Sequence, residues 1–233
     1  MKTRLLQVTA ALLLTACSGN HPPPDWQANT FSALNGFSSA YLSGNARLAD
    51  MEFARAKNEI SRTGQIHLMA RAELTRCAIR LASLELEPCT AYQALAVDAH
   101  PQEQAYAAFL GGQWTGLDTN LLPDHYRALV LRTSSGVNQD AQTPAAPHSN
   151  MLQTIGDPLA RLIAAGVLLQ RLQLTPADMA VATETASDQG WRRPLLAWLG
   201  VQLKRASEAG DAVVASQLQR RIDLVLQTAP KNQ

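Results

Sequence analysis

Apolar residues recur every three to four positions through most of this chain, the period of helices that bury one face. From Trp26 the run Phe31, Leu34, Phe37, Ala40 and Tyr41 keeps that spacing, and Ser43-Gly44 stops it with a residue suited to a left-handed helix end. Ala46, Ala49, Phe53, Ala56 and Ile60 mark a second helix, halted by Thr63-Gly64, and Ala70, Leu74, Cys77, Leu81 and Leu84 mark a third. Short turns between three such helices require antiparallel packing, since none can bury its stripe alone. Cys89 to Ala99 and Pro101 to Leu110 read as two shorter helices, Pro101 fitting a first helical position. The glycines of Gly111-Gly112-Gln113-Trp114-Thr115-Gly116 then break the period.

A helix from Pro123 to Arg132 precedes the longest irregular stretch, Thr133 to Asn150, which carries Gly136, Pro144 and Pro147 and reads as a loop between two halves. The helical pattern resumes at Pro158 with Leu159, Leu162, Ile163, Gly166 and Val167. Thr175-Pro176-Ala177-Asp178 announces the next start, with Thr as cap, Pro at the first helical position and an acid in the first turn. Helices over Pro176 to Ser187, Arg193 to Ala209 and Asp211 to Gln227 complete the pattern. No segment alternates as a strand does. The expected fold is therefore all-α, about ten antiparallel helices packed as helical hairpins, in an α-solenoid-like or irregular bundle. Ala and Leu make up roughly 30% of the chain, which favours helices packed closely together.

The first residues break this pattern. Met1, Lys2, Thr3 and Arg4 lead into the apolar stretch Leu5 to Leu14, which is too short for the roughly 20 residues of a spanning helix and reads as a secretory signal. It ends in Leu14-Thr15-Ala16-Cys17, which resembles the lipobox of bacterial lipoproteins. That resemblance implies cleavage between Ala16 and Cys17, a covalent lipid on Cys17 as the only attached group, and anchorage at an envelope membrane by more than one acyl chain. Ser18 stands where an Asp would resemble an inner-membrane retention signal, so the outer membrane facing the periplasm is the expected address. The prolines of Gly19-Asn20-His21-Pro22-Pro23-Pro24 make a semi-rigid tether. The expected organisation is a signal peptide over 1–16, a lipidated tether over 17–24, an N-terminal helical half over 25–132, a loop over 133–150 and a C-terminal helical half over 151–229. The mature part is similar to helical lipoproteins of proteobacteria.

Processing would remove Lys2 and Arg4 from the 20 basic residues, leaving 18 against 19 acidic ones, a balance that gives no electrostatic footprint for nucleic acid. Cys77 and Cys89 are the remaining cysteines, and beyond the inner membrane an even pair is expected to be bridged. The bridge would close a loop of about 13 residues and stabilise by about 3 kcal/mol. It requires Leu84 to Pro88 to fold back until the Cα atoms approach within about 6 Å.

Tyr41 to Ala56 partly resembles a tetratricopeptide repeat, with Gly44-Asn45 at the turn and Ala49, Phe53 and Ala56 at its small, aromatic and small positions. It departs from that motif where a Leu-Gly pair and a closing Pro would stand, Ser61 occupying the latter place. The resemblance implies helix pairs that present a face to a protein partner.

Chemistry is sparse. No G-x-S-x-G elbow and no H-E-x-x-H pair occurs, so neither a catalytic residue nor a metal ligand is assigned. Glu52 and Glu59 share a helix face but stand among Arg55, Lys57 and Arg62, as a salt-bridged surface would; Glu85 and Glu87 flank a turn and are expected to face solvent. Trp191 and Trp198 fit a core stripe. Trp114, between glycines and so with few neighbours to cover it, and His125 in Asp124-His125-Tyr126 are the possible binding residues. The function expected is a membrane-anchored, non-catalytic interaction or assembly module with an envelope protein as partner. The alternatives are a periplasmic hydrolase of envelope glycan or peptide and a carrier of lipid or another small apolar ligand.

Overall fold

The computed structural model describes residues 24–135 and 149–227; the signal, Cys17 and most of the expected loop lie outside them. Eleven α-helices and two short 3-10 turns make up the described residues, with no strand among them, and the chain is an all-α helical bundle.

α1 (Asp25–Ser43) and α2 (Ala46–Ser61) form the first pair. Gly44 adopts φ 92°, which lets Asn45 N–H reach back to the Ala40 carbonyl at 2.8 Å, while the Asn45 side chain accepts from Leu48 N–H at 3.1 Å. One residue thus ends the first helix and its neighbour caps the second. The stripes then meet as the sequence predicts, with the Phe37 and Phe53 rings 5.1 Å apart beside buried Ala40, Ala49 and Ile60.

α3 (Ile66–Ala82) divides the interior. Ala72 and Ile79 face the α1–α2 core, while Ala70, Leu74, Ala78 and Leu81 face a second core that continues through buried residues as distant as Trp198 and Leu218. Across that second face runs α8 (Pro158–Gln170), which packs on α3 and buries nearly all its residues from Ala160 to Leu168. Contact between helices so distant in sequence makes a bundle whose central pair joins both sides of the 136–148 segment.

Between them lie α4 (Thr90–Gln93), a 3-10 turn at Ala96–Asp98, α5 (Pro101–Leu110), a second 3-10 turn at Thr119–Leu121, α6 (Asp124–Ser135) and α7 (Ser149–Thr154). The single helix expected from Cys89 to Ala99 is broken, because Pro101 forces His100 into extended geometry (ψ 161°) and Asp98 and Ala99 close three-residue bonds instead. α9 (Pro176–Asp188) starts with a complete capping box between Thr175 and Asp178. α10 (Arg192–Glu208) carries Trp198, fully buried, whose Nε1–H donates to the Ala82 carbonyl at 3.2 Å. α11 (Ala212–Gln227) packs against α10, with Leu218 its one buried side chain.

Candidate functional site: a cleft beside the Cys77 and Cys89 pair

α3 ends in a reversal made without glycine. Leu84 takes φ 60°, and Glu85 N–H returns to the Arg80 carbonyl at 3.1 Å. The fold-back brings Cys89 beside Cys77, with Cα atoms 5.9 Å apart and Sγ atoms at disulfide distance. Residues 85–89 thereby become one wall of a half-open cleft of about 790 Å³. α4, the 3-10 turn, α5 and Gln170 at the end of α8 supply the rest of its lining. Leu81, Tyr92 and Leu110, all buried, form its floor, and Leu86 and Val97 stand exposed at its rim, Val97 at 87%. Gln93, Gln104 and Gln113 add amides to that of Gln170.

Glu85 and Glu87 are the charged residues lining the cleft, and both are occupied. The Arg80 guanidinium donates from Nε to Glu85 at 2.8 Å and from its terminal nitrogen to Glu87 at 2.6 Å. Glu85 is not the solvent-facing turn residue expected from sequence. It is half-buried, accepts the Tyr41 hydroxyl from α1 and pairs with Arg193 of α10 at 3.3 Å. Arg193 in turn lies 4.2 Å over the Tyr41 ring and donates to the Tyr41 carbonyl at 2.9 Å. Burial alone would raise the Glu85 pKa, but the Tyr41 hydrogen bond and the two arginines outweigh it and hold the carboxyl below its ordinary range. Burial and then Glu85 push the Tyr41 phenol well up. A carboxylate held ionised in this way is poorly suited to act as a general acid.

The residues singled out from sequence fall elsewhere. Trp114 is buried at 5% exposure rather than presented between its glycines: it stacks on Phe109 at 5.8 Å, donates Nε1–H to the Phe109 carbonyl at 3.2 Å, and is covered by the Arg171 guanidinium at 4.2 Å. His125 is largely exposed but packs one side of its ring against Tyr126, and that partial desolvation lowers its pKa against the opposing pull of Asp157 and Asp124. The packed rings of Phe109 and Tyr126, 4.3 Å apart, stand between Trp114 and His125. Glu52 and Glu59 are each paired one turn away, to Arg55 at 2.6 Å and Arg62 at 3.1 Å, as the salt-bridged surface requires. Trp198 is core and Trp191 is half-buried at the start of α10.

His67 and His100, scattered in sequence, stack face to face at 4.1 Å, a geometry that converges on no common ligand point. Among the described residues no group of three or more His, Cys, Asp or Glu side chains is placed to hold a metal ion. No helix of the described residues is long and apolar enough to cross a membrane. No protein-family model matches the chain, and no curated protein and no solved structure matches it.

Proposed function

We propose that this chain is a lipid-anchored lipoprotein of the bacterial envelope, held through Cys17 at the outer membrane and facing the periplasm, and that its bundle is a non-catalytic module that binds another envelope protein through the cleft. The observation that carries the reading is the chemistry of the cleft. Its floor is apolar, its rim carries amides and two exposed apolar side chains, and its two carboxylates are paired with two arginines, Arg80 with both and Arg193 with Glu85. Interfaces of this kind combine a desolvated apolar centre with a polar edge. A hydrolase would instead need an acid or nucleophile left free to react, and a lipid carrier a more enclosed chamber. A disulfide between Cys77 and Cys89 belongs to the same proposal, since it would fix the wall that carries Leu86 and Glu87.

The test is photo-crosslinking in intact cells from a benzophenone side chain placed at Val97. A discrete adduct with one envelope protein is expected, and none from the same probe at Phe31, which is 70% exposed on α1. Failure to capture any protein from Val97, where a known assembly lipoprotein captures its own partner, overturns the proposal. So does equal capture from both positions.

A further inference from the structure

Residues 85–89 line the cleft as irregular backbone and the rest of its lining is helix and turn, and this decides what can be recognised there. A helix spends its own N–H and C=O groups on itself, so an extended chain entering the cleft finds main-chain partners only along 85–89. Elsewhere around the cleft, pairing of the occupant's peptide groups has to come from side chains that both donate and accept, and the primary amide does this. Gln93 of α4, Gln113 after α5 and Gln170 at the end of α8 all line the cleft, and none of the three side chains makes a hydrogen bond to another described residue. Gln104 differs, donating to the Ala99 carbonyl at 3.0 Å and so holding the 3-10 turn.

Charge narrows the occupant further. With Glu85 and Glu87 already paired, a charged side chain entering the cleft would lose water without gaining a free counter-charge. Leu81, Leu86, Val97 and Leu110 offer instead aliphatic surface to apolar side chains. The occupant's origin follows from the direction of the helices. Lys57 pairs with Glu73 and Arg76 lies over Phe53, so α2 and α3 run antiparallel, and Gly36 against Glu52 sets α1 antiparallel to α2. The start of α1, where the tether enters, therefore lies at the end of the bundle where α3 begins, whereas the cleft lies where α3 ends. Seventeen residues of α3 place these ends roughly 25 Å apart. Acyl chains of the anchoring membrane would have to cross that distance to reach the cleft.

We infer that the cleft takes an extended, uncharged stretch of polypeptide from a partner protein, with aliphatic side chains on Leu81 and Leu110 and peptide groups paired to Gln93, Gln113 and Gln170. This inference rests on the partner-binding reading above. Its test is a library of end-blocked dodecapeptides, half uncharged and half carrying two Lys or two Glu, titrated by fluorescence anisotropy against the full mature chain in detergent. Ala108→Trp is compared as a plug in the cleft, and Gln113→Leu with Gln170→Leu as a double variant that keeps shape but removes amides. Unfolding midpoints matching the native chain certify that both variants are folded.

Uncharged peptides with spaced aliphatic residues are expected to bind, the double variant to weaken them about tenfold or more, equivalent to about 1.4 kcal/mol, and the plug to abolish binding. The inference is overturned if no uncharged peptide binds, if charged peptides bind better, if the plug has no effect, or if palmitate or phosphatidylethanolamine vesicles bind in a plug-sensitive way. Crosslinking from Val97 to a protein in cells, together with failure of the peptides, would leave the interaction reading standing and remove the extended-peptide occupant alone.

Discussion

The carbonyl oxygen of Leu81 in α3 occupies the space that a side chain at Gly166 of α8 would need: a Cβ there would lie 2.7 Å from it and 3.0 Å from the Leu81 Cγ. Both helices are buried at this crossing, and the obstructing atom is main chain, which cannot swing aside. Gly166→Ala is therefore expected to cost about 1–3 kcal/mol by forcing the central pair apart, although alanine is otherwise the better helix former by 0.5–1 kcal/mol. Gly200 in α10 has no atom within 4 Å of its Cβ position, so Gly200→Ala should stabilise by about 0.5–1 kcal/mol. Urea unfolding of both variants checks the contrast; equal effects would contradict the close crossing.

Glu85 ties α1, the end of α3 and α10 together, and its depressed pKa gives the bundle an acid-sensitive joint. The folded value lies below the ordinary one of about 4.3, so the contribution is fully present above that pH and disappears as pH falls through the folded value. Glu85→Gln should lower stability at pH 7 on the order of 2 kcal/mol, the scale of losing hydrogen bonds to a charged group. The gap from the native protein should close on acidification from pH 5 downwards. Parallel stability curves for the two proteins would show that the ion cluster is not coupled to folding.

Arg193 lies 108 residues from Glu85, and Tyr41 lies 44 residues from it. Such separations explain why sequence reading placed Glu85 in solvent. By contrast, the bounds of α5 and the start of α9 were readable because their determinants are local: Pro101 at a first helical position, Thr175 and Asp178 exchanging hydrogen bonds across one turn. Trp114 shows how a local signal misleads. Its glycine neighbours leave it uncovered in sequence, but Arg171 arrives from the far end of α8 to cover it. The cleft was illegible for the same reason, since its walls come from segments between Cys77 and Gln170 that share no periodicity. The approach of Cys77 to Cys89 was foreseeable only as a condition, that 84–88 fold back, and the left-handed Leu84 meets it.

If Cys77 and Cys89 are bonded in the mature protein, an unfolded, unreduced sample should show no free thiol from this pair. Reduction should then lower stability by about 3 kcal/mol, the loop-closure contribution of a short cross-link. Two titratable thiols in the unreduced sample would contradict the bridge. The paired variant Cys77→Ser with Cys89→Ser should also reduce capture from Val97, because Cys89 bounds the cleft wall.

Lipid attachment at Cys17 predicts that labelled palmitate is incorporated into the native chain and lost in Cys17→Ser. With no acyl chain, Cys17→Ser behind a cleavable non-lipoprotein signal in place of residues 1–16 should leave the membrane fraction and remain folded in the soluble one. Label retained in Cys17→Ser, or the signal-exchanged variant still sedimenting with membranes, would reject the anchor.

The cleft as the partner-facing surface is tested most directly by repeating the Val97 crosslink in cells that carry Ala108→Trp, with protein level and membrane association held equal. Filling the cleft should reduce the adduct at least tenfold, the effect of losing about 1.4 kcal/mol or more of binding free energy. An adduct of unchanged yield would mean that the partner is bound elsewhere on the bundle.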